Sequence, residues 1–258
     1  MNIVLVGSGN MATQLGRAFK MAGQDIVQVW SRNIDHAREL ADTLASEAIT
    51  DLFDLDRKAD IYIISVNDEA IKELAQALKV GDKLIVHTSG STGIDVLKDS
   101  SSKIGVFYPL QTFSKSKAID FRQIPIAIEG NSPEVTSTIH AIADRLSEKV
   151  IELSSEQRKA LHIAAVFACN FTNHLYALSK RLLTDQQLEF DLLTPLINET
   201  VTKALLNDPI TMQTGPAVRG DQSTMNAHLD LLNDKPELKE LYQKLSQSIV
   251  NLQALSHG

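Results

Sequence analysis

Cysteine is nearly absent: Cys169 stands alone in 258 residues. This excludes an internal disulfide framework and a cysteine-based metal site. Basic charge is also in deficit, with 25 Lys and Arg against 32 Asp and Glu and a net charge of −7. That balance gives no footprint for nucleic acid and no basic membrane patch, so a small organic substrate or a protein partner is the expected ligand. No apolar run approaches the roughly 20 residues needed to span a bilayer. The apolar start "MNIVLV" lacks a basic leader and breaks at Gly7, so it reads as a strand and not a signal peptide, and a cytoplasmic location is expected. The 7 histidines show neither HxxxH nor HxxEH spacing, and no carboxylate cluster accompanies them, so no metal site is expected. A serine nucleophile is unsupported because no G-x-S-x-G elbow occurs.

What is present divides in two near residue 152. Before it, short β-rich runs alternate with helical patterns: "NIVLV" (2–6), "DIVQVW" (25–30), "DIYIISV" (60–66), "KLIVHT" (83–88) and "KIGVFY" (103–108), with "IPIAIEG" (124–130) and "KVIEL" (149–153) as two further candidates. Near-continuous apolar strands separated by helices predict an α/β domain with a mostly parallel, Rossmann-type sheet covered on both faces. Ser132 and Pro133 supply the N-cap and first turn of its last crossover helix.

After residue 153 the strand patterns stop, and 153–258 read as an all-α second domain for substrate handling or dimerisation. Ser154 and Gln157 form a capping box ahead of "SEQRKALHIAAVFACNFTNHLYALSKRLL", a helix longer than average and apolar enough to be buried. Such a helix suits a twofold dimer interface. Thr194-Pro195 and Asp208-Pro209 read as further helix starts, and "PELKELYQKLSQSIVNLQAL" as the closing helix.

Gly7-Ser8-Gly9-Asn10-Met11-Ala12 fits the G-x-G-x-x-G/A fingerprint directly after an N-terminal strand. The first glycine makes the turn, the second lets a pyrophosphate approach the backbone, and Ala12 allows close helix–strand packing. The following helix N-terminus points free N–H groups at the phosphates. The second strand ends in Ser31-Arg32-Asn33, with no acidic residue at its tip to hold a ribose 2′-hydroxyl. Arginine suits a 2′-phosphate through its planar, permanently charged fork, which favours NADP over NAD.

"GSGNMA" followed by "WSRN" resembles the NADP-binding half of pyrroline-5-carboxylate reductases and β-hydroxyacid dehydrogenase-like proteins. With "HTSGSTGIDVL", "YPLQTFS", "LHIAAVFACNFTNHL" and "TGPAVRGD", nearly the whole chain resembles a bacterial family of NADP-dependent oxidoreductases. That family joins a Rossmann-like domain to a helical domain of unassigned function. The resemblance implies a Rossmann-like fold and NADP as the cofactor class, and the leading reading is an NADP-dependent oxidoreductase in which the cofactor provides the hydride. Two departures qualify it. "VNDEAI" stands where pyrroline-5-carboxylate reductases carry a Lys-Pro pair, and Val166 occupies the position of the catalytic lysine four residues before the dehydrogenases' asparagine, here Asn170.

In an open α/β sheet the ligand crevice lies beyond the carboxyl ends of the strands. Val66 and Asn67, Thr88 and Ser89, and Pro109 occupy such ends and are candidates to rim the cofactor and substrate. On the long helix, Cys169 and Asn173 each fall within about 20° of His162 by α-helical geometry. This polar stripe makes His162 the candidate general acid, with Asn170 and Ser89 as companions and Asn173 as a substrate contact; a histidine bonded within the core is the alternative. Arg219 and Asp221 form a second-tier substrate pair on a glycine-flanked loop. Reduction of a ketone needs a proton donor and reduction of an iminium does not, so a pyrroline-type imine reductase remains open. So do a non-catalytic sensor of NADP(H) and, on fold analogy, hydride exchange with a deazaflavin.

Overall fold

The computed structural model describes residues 1–117 and 119–256. The first compact unit, Met1–Thr172, is built on one eight-stranded sheet. Its strands are β1 (Asn2–Val6), β2 (Asp25–Trp30), β3 (Glu47–Ile49), β4 (Ile61–Ile64), β5 (Gly81–His87), β6 (Ser101–Pro109), β7 (Ile126–Gly130) and β8 (Val150–Glu152). They lie in the order β3-β2-β1-β4-β5-β6-β7-β8, all neighbours parallel except the antiparallel pair β6 and β7. The order reverses at β1, so the crevice between the carboxyl ends of β1 and β4 is the switch point where such sheets hold ligands.

Alternation along β1 assigns its side chains to two cores. Ile3 and Leu5 pack with Leu15 and Phe19 of α1 (Asn10–Met21), Leu40 and Leu44 of α2 (Ile34–Leu44), and Ile139 of α4 (Pro133–Ala143). Val4 and Val6 face the other way, toward Trp30, Ile64, and Ile71 and Leu74 of α3 (Asp68–Ala77). This is the doubly covered Rossmann-type sheet that the apolar strand patterns predict. Ser132 caps α4 by accepting a hydrogen bond from Val135 N. The strand β3 is not among the predicted ones: with three residues, it is too short to display a periodicity.

Helical structure begins at Ser155, where Ser154 and Gln157 form both bonds of the capping box. The long helix is not uniform. It comprises α5 (Ser155–Ala165), a π-helical stretch at Val166–Phe171, and α6 (Thr172–Thr184). Bonds from i to i+5 widen the turn, so a fixed 100° per residue does not carry across it. The helix is also not buried as its composition suggests: Ile163, Phe167 and Phe171 are 58%, 65% and 50% exposed.

The second unit begins at Asn173 and contains the rest of α6, then α7 (Thr194–Leu206), α8 (Gln222–Leu231) and α9 (Pro236–Ser256). The helix expected from Asp208-Pro209 is replaced by turns. Asp208 accepts from Ile210 N at 2.9 Å and from the Thr211 hydroxyl at 2.9 Å, which closes one turn. Gly215-Pro216 follows too soon for a helix to propagate. No helix of the described residues is long and apolar enough to cross a membrane.

Candidate functional site

At the switch point the turn out of β1 opens a cleft of about 600 Å³. Gly7 has φ +134°, and a Cβ there would lie 2.0 Å from the Ser65 carbonyl oxygen, so only glycine fits between β1 and β4. Gly9 is the opposite case. A Cβ there would meet nothing within 4 Å, because its backbone faces open space. Gly9 is also the N-cap of α1 and offers no side-chain cap, and the first turn of α1 carries no acidic residue. The free first-turn amides and positive helix end therefore face the cleft without competition. A pyrophosphate fits this cradle sterically and electrostatically.

Gly7, Ser8, Gly9, Asn10 and Met11 form one wall of the cleft, and Ser31 and Arg32 close one end. Val66, Asn67, Thr88 and Ser89 line the strand ends beyond β4 and β5. Ser8 donates to Ser31 Oγ at 3.0 Å, which ties the glycine loop to the end of β2. Thr88 donates to Ser65 Oγ at 3.2 Å, tying β5 to β4. Arg32 is exposed and engages no other described residue. Asn33 is differently employed: it caps α2, its side chain accepting from Asp35 N at 2.8 Å. Beside Arg32 the cleft wall carries two residues not anticipated from the sequence, His36 and the cationic Lys115. His36 stands four residues after Arg32 and was readable as a helical neighbour. Lys115 arrives from the β6–β7 connection, and nothing local marks it.

The loop after β5 is rigidly built. Ser89 Oγ accepts from Ser91 N at 3.1 Å and Thr92 N at 2.9 Å, and donates to Thr92 Oγ1 at 3.0 Å. Arg158 of α5, 1% exposed, donates through Nε to the Ser89 carbonyl at 3.2 Å, through Nη2 to the Thr92 carbonyl, and through Nη1 to Glu129. Below the loop, His87 Nδ1 accepts from Ser89 N at 3.2 Å. Burial, reinforced by the Arg158 charge, lowers the pKa of His87 to about 4. Its Nε2 is buried with no partner among the described residues.

Gly90 carries the other polar couple. Tyr108 Oη and His162 Nδ1 lie 3.0 Å apart, and a Cβ on Gly90 would fall 2.6 Å from His162 Nδ1 and 2.8 Å from Tyr108 Cζ. Both rings thus rest on a backbone that tolerates no side chain. Tyr108 is buried, and desolvation with the nearby Asp68 charge raises its phenol pKa, which keeps it protonated. His162 is half-buried and lies next to the cleft wall without lining it. Asn170 and Asn173 are exposed. Pro109 is buried at the end of β6, paired with Ile126. In the second unit, Arg219 is exposed and Asp221 caps α8; bonds from the Thr224 hydroxyl and amide, then from Ser223, hold its carboxyl below the usual range.

Residues 2–90 match the family model described as NADP oxidoreductase, coenzyme F420-dependent, and residues 124–249 match a domain of unknown function, DUF2520. A Bacteroides fragilis protein assigned as an NADP oxidoreductase is 46% identical, with 97% of this chain and 98% of that chain covered and a TM-score of 0.90. A Thermotoga maritima protein is 27% identical over 99% of this chain and 100% of its own, with a TM-score of 0.72. The pyrroline-5-carboxylate reductase of Streptococcus pyogenes shares the fold, with a TM-score of 0.63 at 14% identity over 97% of this chain and 98% of that one. No protein of curated function matches. The chain belongs to the NADP oxidoreductase family that joins this nucleotide-binding half to the DUF2520 helical region.

Proposed function

We propose that this chain transfers a hydride between NADP(H) and a small carbonyl or imine substrate, acting as a cytoplasmic homodimer. The observation that carries the reading is the continuity of residues 88–90. Thr88 and Ser89 line the cleft, and Gly90, the next residue, bears the His162–Tyr108 couple on its backbone.

The cofactor, when bound, supplies or accepts the hydride at its nicotinamide ring. The chain's own groups bind and manage the proton. Gly7 to Met11 and the α1 N-terminus hold the pyrophosphate, and Arg32 with Ser31 holds the 2′-phosphate. Protonated Tyr108 donates to His162 Nδ1, which leaves the proton of the neutral ring on Nε2. As Nε2 gives its proton to a nascent alkoxide, Nδ1 takes the Tyr108 phenol proton, so the ring stays neutral, and the phenolate is then reprotonated from water. Ser89 serves the site by shaping the loop through its three bonds. Asn170, on the π-helical stretch, is assigned to orient the substrate.

Steady-state NADPH oxidation across keto acids, semialdehydes and cyclic imines tests the reading. Turnover of a carbonyl compound that falls about 10²–10⁴-fold in His162→Ala, with NADPH affinity unchanged, is the expected result. Turnover confined to imines and indifferent to His162 would assign pyrroline-type chemistry, in keeping with Val166 at the lysine position. Tight NADPH binding without turnover of any substrate would make the protein a sensor.

A further inference from the structure

We infer that Lys115, on the β6–β7 connection, is a second phosphate-recognising cation that sets the preference for NADP over NAD, and that Glu39 of α2 is its partner in the absence of cofactor. The inference rests on the cleft being the NADP site.

The Lys115 backbone is fixed from below by α1. Gln14, 3% exposed, donates through Nε2 to the carbonyls of Ser114 at 2.5 Å and Lys117 at 2.9 Å, and Arg17 Nη1 donates to the Lys115 carbonyl at 2.9 Å. These bonds use two side chains of the very helix that presents the glycine loop, so the connection is registered against the cofactor cradle. Lys115 lines the cleft together with Arg32 and His36, and the lysine and arginine charges make the end of the cleft next to β2 basic. The one acidic residue on the described lining, Asp68, belongs to the α3 side.

A phosphate monoester carries close to two negative charges at neutral pH, more than one guanidinium neutralises. Arg32 offers a planar fork, and a lysine ammonium adds a point charge that can follow the remaining oxygen. Lys115 Nζ now sits 3.0 Å from Glu39 Oε2, with side chains 37% and 61% exposed. An exposed pair of this kind is weak and easily exchanged for a dianion. Glu39 also discriminates: it satisfies Lys115 when the ribose has no phosphate, so NADH gains nothing from the lysine.

Binding of NADPH and NADH by the full-length protein, followed by calorimetry, separates the possibilities without recourse to activity. Lys115→Met keeps the aliphatic stem and is expected to weaken NADPH by roughly tenfold while leaving NADH within about twofold. Lys115→Arg should retain most of the preference, and Glu39→Gln should tighten NADPH by about two- to threefold. Equal losses for both cofactors, or no loss for either, would overturn the role of Lys115. Wild-type protein binding both cofactors equally would instead overturn the NADP reading of the cleft.

Discussion

A neutral imidazole sealed beneath the nucleotide-side loop makes His87 a titration sensor for folding. It is fully buried, and desolvation, followed by the Arg158 charge, lowers its pKa from 6.5 to about 4. The unfolded chain takes up the proton near pH 6.5 and the folded chain only near 4. Stability is therefore intact above the unfolded value and declines as pH falls through that window, by about 3 kcal/mol for a shift of this size. Chemical denaturation at steps between pH 7 and 4 should show this loss in wild type and its absence in His87→Gln; parallel curves would refute it. At this scale the site was legible where the signal is local. The glycine spacing from Gly7 and the Ser31-Arg32 pair stand at fixed distances from strand ends. Asn33 looks identical in sequence whether it contacts a ribose or caps a helix, and the cap is what forms. Lys115 and Arg158 were not legible. Each reaches the site through contacts more than 60 residues away along the chain, such as Arg158 with Ser89 at a separation of 69.

The loop following β5 and the helix α5 behave as one element, joined by the Arg158 guanidinium. Ser155 extends the junction, donating its amide and hydroxyl to the two Glu129 oxygens at 2.9 and 2.8 Å and accepting from Ile94 N at 3.1 Å. Removing one partner of a buried pair costs about 3 kcal/mol or more because the other charge is left unsatisfied; removing both costs less. Arg158→Met is thus expected to be more destabilising than Arg158→Met combined with Glu129→Met. In both variants the amides of Ser91 and Thr92, which bond to Ser89 Oγ, should exchange hydrogen faster. A single variant with unchanged melting and unchanged exchange would show that the clamp does not hold the loop. Elements were readable in proportion to their length. β1, β2 and β5 announce themselves by apolar runs, whereas β3 has three residues and depends on its pairing with Gln28, Val29 and Trp30. The π-helical stretch has no compositional mark, since its hydrogen-bond shift is decided by packing and not by residue type.

The second unit is out of balance as a free-standing body. Among its described residues only Ala217 and Leu232 are buried. Leu192, Leu196, Leu205, Leu206 and Leu255 are between 63% and 80% exposed. A helical segment of this length needs a core to offset its conformational entropy, and burying each such leucine contributes about 1.5–3 kcal/mol. Apolar exposure on this scale is characteristic of surfaces that contact another protein. The proposed homodimer would cover these leucines, because a twofold axis presents the same apolar helices to one another. Sedimentation equilibrium at micromolar concentration should give twice the 28.4 kDa of one chain. The melting temperature should rise with protein concentration, as expected when folding and association are coupled. Leu196→Asp with Leu205→Asp should shift the mass toward the monomer and lower helicity together. A mass of 28.4 kDa for the wild type, with concentration-independent melting, would reject the dimer and leave the exposed leucines to another partner.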